Sequence, residues 1–304
     1  MPAFVCTRDD RLVRLRREGA TPVLEGVGAQ CVATAGERVL VGTRAQGALL
    51  SEDGGDSWAP IELPEAGVFA VAISAADGAL YAGTEPSRLF VARDGGPWTE
   101  LEALQDIPSR DRWSFPPRPW THHVRWIAPD PHHSERLLVG IELGGLMASD
   151  DGGATFSDHP PEAKRDVHEL AWHTRADYAY QAAGDGAAWS RDGGRTWEAV
   201  DAGRDLRYCW ALAIDPADPE RWYVSAASGP GAAHSGLRAR GRLYRWSGAW
   251  ETLPLPGDSM PYALTARDGE LLAGMADGRL LRSDDRGERW VQLAPRLGPV
   301  IAMA

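Results

Sequence analysis

Short apolar runs alternate with polar, glycine-rich breaks along the whole chain, at a spacing too tight for amphipathic helices. One stretch reads CVATA, RVLVGT, GALLSEDGG, WAPIEL, each run closed by Gly, Asp, Pro or a hydroxyl residue. Runs of this length, rich in Val, Leu, Ala and aromatic residues, predict strands joined by tight turns.

The group of four runs then recurs. It returns as VFAVAIS, ALYAGT, RLFVARDGG, WTELEA, then as HVRWIA, RLLVGI, GLMASDDGG, FSDH, and again as HELAWH, YAYQAA, AAWSRDGG, WEAV. A fifth group has WALAID, WYVSAA and RLYRW with a degenerate turn, SGAWETL, and a sixth has YALTA, ELLAGM, RLLRSDDRG, WVQLA. The two ends supply a seventh: VIAMA (Val300 to Ala304) matches a first strand, and AFVCT, RLVRLR and PVLE match the second, third and fourth. Four-stranded units of about 40 to 45 residues predict a β-propeller, and closing the ring with one C-terminal and three N-terminal strands removes its free edges. The expectation is an all-β, seven-bladed propeller spanning 1–304 as a single domain, with the last blade shared by about 1–26 and 298–304.

The break between third and fourth runs is itself a motif. SRDGGRTW (Ser190 to Trp197) recurs as SEDGGDSW (Ser51 to Trp58), SDDGGATF (Ser149 to Phe156), SDDRGERW (Ser283 to Trp290) and, one residue shorter, ARDGGPW (Ala92 to Trp98). The Asp accepts backbone amides two residues on, the glycines supply positive φ, and the aromatic residue covers the turn. These aspartates therefore read as turn formers rather than ligands or catalysts.

These boxes and their spacing resemble the Asp-box or BNR repeat of sialidases, sortilin-type receptors and photosystem assembly-factor propellers. The run from LYAGTEPSRLF through PSRDRW to VHELAWH and SRDGGRTW resembles a bacterial group described as BNR-repeat glycosyl hydrolases or exo-sialidases. That resemblance implies a sialidase-like or WD40/YVTN-like propeller, and it implies little about chemistry, because many functions share this fold.

Composition narrows the partners. A formal net charge of −11 argues against a nucleic-acid backbone or an anionic membrane. No apolar run is long enough to span a bilayer, and MPAFVCTRDD lacks the basic-then-apolar pattern of a secretory signal. The cysteines, Cys6, Cys31 and Cys209, are odd in number and sit in strand patterns, so a reduced, cytoplasmic protein is expected.

In a propeller of this kind the boxes lie on one face and ligands meet the opposite mouth of the central channel. The ends of the second strands place Arg8, Arg44, Glu85, Glu142, Asp185 and Asp277 at that mouth. The starts of the first strands add His122, His123, Arg125, His168 and Glu169, followed by Arg207, Tyr208, Trp210 and Tyr262. His159 and His234 map to the same face. Three long connections also belong there: Ala103 to Thr121, whose Trp113, Phe115 and Trp120 among prolines suit a cover over a pocket or a stack against a sugar ring; Asp158 to Asp166; and Ser228 to Gly241, a Gly-rich, basic segment that reads as a mobile lid.

Carboxylates, guanidinium groups, imidazoles and phenols around one axis suit a polar or carbohydrate-like small molecule. If the chain is an enzyme, Glu142, Glu169, His168 and Tyr208 are the candidate catalytic groups, in a glycoside hydrolase-like or lyase-like reaction. The carboxylate pairs to measure are Glu142 with Glu169 or Glu85; His168, Tyr208 and Arg125 form the lyase set. Sialidase activity itself is not expected, because the Phe-Arg-Ile-Pro motif is absent. No cofactor motif is present, and no metal ligand is assigned. A divalent metal on His122, His123, His168, Glu142 and Glu169 needs a convergence that sequence does not display. The competing reading is a non-enzymatic scaffold for a protein partner, for which Trp113, Phe115 or Trp120 would lie on the outer surface.

Overall fold

The computed structural model describes residues 3–16, 19–267 and 269–304. Antiparallel sheets form a ring of seven blades, as the repeats predict. The first strands of the blades, Ala29–Ala35, Gly67–Ile73, Val124–Pro129, Val167–Trp172, Tyr208–Ile214, Pro261–Arg267 and Val300–Met303, stand side by side around a central channel. Val300–Met303 pairs with Ala3–Thr7, which continues into Arg11–Arg16 and Gly19–Glu25, so the ends of the chain complete one blade. The amides of Phe4 and Ala304 each donate to the other's carbonyl, at 2.8 and 3.0 Å. No helix among the described residues is long and apolar enough to cross a membrane.

Adjacent blades approach closely because glycine occupies the second strand where the next blade's first strand presents valine. A β-carbon on Gly83 would stand 2.6 Å from Val124 Cβ, one on Gly42 2.8 Å from Val68 Cγ1, and one on Gly274 2.5 Å from Val300 Cγ1. The Gly-Thr and Gly-Met endings visible in the sequence are thus packing seams between blades.

The DGG turns form and fasten neighbouring blades, but Asp53, Asp151 and Asp192 accept amides three or four residues on rather than two, because the two glycines widen the turn. Ser190 Oγ donates to Asp192 at 2.8 Å and accepts the Gly194 amide at 2.8 Å, while Thr196 donates its amide and hydroxyl to Asp192 at 2.9 and 2.7 Å. Gly193 and Gly194 take φ of 76° and 79°. The same net surrounds Asp53 and Asp151. Trp197 then packs with Leu138 of the preceding blade and Trp172 of its own, while Trp58 packs with Phe4 and Trp290 with Leu253 of the preceding blades, so each turn is carried across a blade boundary.

The third blade departs from expectation. Its fourth strand, expected at FSDH, is reduced to a single bridge between Ala148 and Ser157. Pro160 and Pro161 follow at once and carry no amide to extend the ladder. His159 Nδ1 accepts the Leu146 amide at 3.2 Å and stands in for the missing carbonyl, so this histidine serves the blade edge.

Candidate functional site

Every first strand carries a β-bulge at the same height. The register with the second strand shifts between Ala29 and Cys31, Val68 and Ala70, Val124 and Trp126, Val167 and Glu169, Cys209 and Leu212, and Pro261 and Ala263. In the closing blade, Cys6 pairs with Ala302 and Thr7 with Val300, which leaves Ile301 unpaired. A bulge re-aims its extra residue. The residues so displaced are Gln30, Phe69, Arg125, His168, Trp210, Tyr262 and Ile301, and all line one small cavity of roughly 70 Å³ on the axis. A second chamber of about 370 Å³ opens toward the other end and shares Trp126, Glu169 and Met303 with the first.

Beside the cavity the ends of the second strands bring in charge. His123 Nε2 lies 2.7 Å from Glu142 Oε2, and Arg125 Nε lies 3.5 Å from the same oxygen. Arg125 extends across the mouth over Trp210, with Cζ 5.6 Å from the ring centre. Trp210 also meets Tyr262 at 5.0 Å, His168 at 5.1 Å and His234 at 5.2 Å between ring centres. Burial opposes ionisation of Glu142, yet the His123 bond and the Arg125 charge prevail and hold its carboxyl at about 2.

His168 is 1% exposed and its Nδ1 lies 2.6 Å from the Cys209 carbonyl oxygen. That contact requires the proton on Nδ1 and leaves a lone pair on Nε2, which faces Asp166 Oδ1 at 3.7 Å and the Tyr208 hydroxyl at 3.4 Å. Burial, reinforced by Arg125, lowers the imidazole to about 4. Asp166 is pushed up to about 7, by burial first and then by repulsion from Glu142 and Asp185. Donor atoms of Glu142, Asp166 and His168 all lie within 4.8 Å of one another.

Other predicted residues take supporting places. Glu85 receives Arg118 through Nε at 3.0 Å and Nη2 at 2.5 Å, and stands 3.5 Å from His123 Nδ1. Arg8 lies over Tyr262 at 5.8 Å, and Arg44 pairs with Asp10 at 3.5 Å on the rim. Asp185 accepts the amides of Arg165 and Asp166, each at 3.2 Å, and so delivers Asp166 to the mouth. Arg207 remains exposed.

Several residues have roles different from those expected. Glu169 lies between the two chambers rather than beside Glu142: it lines both, accepts the Leu212 amide at 3.0 Å, and is raised to about 8 by burial. Asp277 is taken by Arg279 at 2.7 Å. His122 turns away from His123, as alternation requires, and packs edge-on against Trp113. Trp113 is no lid; it is buried in the core between the second and third blades and donates to Ser109 Oγ at 3.2 Å. Trp120 is 79% exposed. The Ser228 to Gly241 segment is docked, with Ala233 and Ala239 buried and the Tyr262 hydroxyl donating to the Ala233 carbonyl at 2.7 Å.

Sequence reasoning missed Asp166, Gln30 and Phe69. The signal for Asp166 was its place at the end of the Asp158 to Asp166 connection, one residue before a first strand, the position that His123 holds in the preceding blade. The bulged residues carry no mark of their own, since a bulge is a matter of pairing register.

The fold and this mouth define a seven-bladed β-propeller with a polar, aromatic axial site. No family profile and no curated protein sequence matches the chain. Among solved structures, it is similar to a GH74 xyloglucanase from Xanthomonas campestris (TM-score 0.74, 15% identity), covering 99% of this chain and 52% of that one. It is similar to an ancestral GH74 enzyme (TM-score 0.68, 16% identity), covering 95% of this chain and 39% of that one. The chain thus spans about half, or less, of those enzymes' length. It is also similar to YCF48 bound to D1 peptide (TM-score 0.60, 18% identity), covering 88% of this chain and 81% of that one. At these identities the likeness is one of fold.

Proposed function

We propose that the channel mouth binds a polar, carbohydrate-like molecule and presents one of its groups to Glu142, Asp166, His168 and Tyr208. The observation that carries this reading is the set of bulges, which aims one residue per blade at the axis. Trp210 and Tyr262 offer apolar faces for a sugar ring, and Arg125 and the carboxylates offer directed hydrogen bonds to its hydroxyl or acidic groups. A cavity of roughly 70 Å³ admits a substituent rather than a whole ring, so the body of the ligand would rest on the mouth. The fold shared with GH74 enzymes supports a glycan at the level of class.

The test is a crystal soaked with neutral and acidic oligosaccharides. Density over Trp210 supports the reading, and sugar found only on the outer blades contradicts it.

A second reading, a surface for a protein partner, is favoured by Trp120 and Leu237. They are 79% and 62% exposed on the two segments that flank the mouth. The fold shared with YCF48 bound to a peptide supports it at the same coarse level. Loss of a captured peptide on W120A with sugar binding intact would support this reading.

A further inference from the structure

Three donors of the mouth converge as metal ligands do, and the side chains of two of them are oriented by a further group. The Cys209 carbonyl fixes the tautomer of His168 and points Nε2 inward. His123 and Arg125 both approach Glu142 through Oε2, which leaves Oε1 for another partner. Asp185 accepts the Asp166 amide at 3.2 Å and so holds the base of that residue.

The distances suit an ion. A tetrahedral centre with bonds near 2.1 Å needs donors about 3.4 Å apart. His168 Nε2 and Asp166 Oδ1 are at 3.7 Å, and all three donors lie within 4.8 Å of one another, so modest side-chain movement would close the site. Two like charges crowded here are relieved by a cation. One imidazole with two carboxylates matches zinc, whose reactive sites have three protein ligands and an open position, better than calcium, which takes six to eight oxygens.

We propose that Glu142, Asp166 and His168 bind one divalent first-row metal ion, with zinc the best match, and that its open position faces the ligand at the mouth. Only that last assignment rests on the ligand reading above.

The experiment uses the full chain, stripped with chelator and titrated calorimetrically with zinc, manganese and calcium chlorides, with metal content read by mass spectrometry. One zinc per chain is expected, bound at least tenfold more tightly than calcium. D166N, which keeps shape and volume, and H168A should each weaken zinc by about 100-fold or more. H132A, at an exposed histidine outside the cluster, should leave it unchanged. Failure to take up one zinc, or uptake that survives D166N or is lost in H132A, overturns the proposal. W210A separates the two readings: it should lose sugar and keep zinc. If H168A does not fold, D166N decides alone.

Discussion

A β-carbon added to Gly184 would stand 2.7 Å from Asp166 Cγ and 2.7 Å from Tyr208 Cε2, so this glycine is what lets the Asp166 carboxylate lie beside His168. Gly184 donates its amide to the Asp166 carbonyl at 2.8 Å and has no positive φ, so alanine fits its backbone. Gly184→Ala should displace the carboxylate and weaken binding at the mouth roughly tenfold or more, while stability falls by only about 1 kcal/mol. Parallel titration and thermal melts check this; unaltered binding would remove Asp166 from the site.

The seams between blades make a sharper stability prediction. Gly83→Ala places a methyl 2.6 Å from Val124 Cβ and should cost about 1 to 3 kcal/mol by urea unfolding. In a double-mutant cycle, part of that cost should disappear when Val124 is alanine. Strict additivity would mean that the seam is not where the clash is relieved.

Acid should loosen the DGG turns. Asp53 and Asp151 are held at about 2, chiefly by hydrogen bonds from Ser57 and Thr155. A carboxyl lowered in the folded state adds stability above its unfolded value, near 3.9, and loses that contribution as pH falls through its folded value. D53N and D151N should therefore lose less stability than the parent between pH 5 and pH 2, as followed by thermal melts. An identical pH slope in parent and variants would contradict it.

Leu143→Gly tests the strain beside Glu142. Relief of φ 55° should raise stability by about 1 kcal/mol, set against the loss of a half-buried side chain, and the freer turn should weaken binding at the mouth. A loss of stability larger than about 1 kcal/mol would show the leucine to be valued for packing instead.

Much of this architecture is legible in the chain. The DGG octapeptides fix the third-to-fourth turn of each group, and from that ruler Glu142 and Arg125 can be placed at the far mouth. Closure by VIAMA follows from counting strands that would otherwise be left with an open edge. Gln30, Phe69 and Asp166 are not legible for a physical reason: a bulge shifts which residue faces the axis by one, and Asp166 reaches the site from a loop whose course depends on Asp185. The aromatic residues of the Ala103 to Thr121 connection look alike in sequence, yet Trp113 is buried and Trp120 is exposed, because only the first reaches the gap between two blades.

The most direct test of the central claim is calorimetric titration of the full chain, W210A and D192A with cello-, xylo- and manno-oligosaccharides and their uronic-acid counterparts. The account predicts saturable binding of at least one of them, weakened roughly tenfold or more in W210A and unchanged in D192A, whose altered turn lies away from the mouth. Binding by W210A as tight as by the parent, or no binding by the parent to any sugar of the panel, would contradict it.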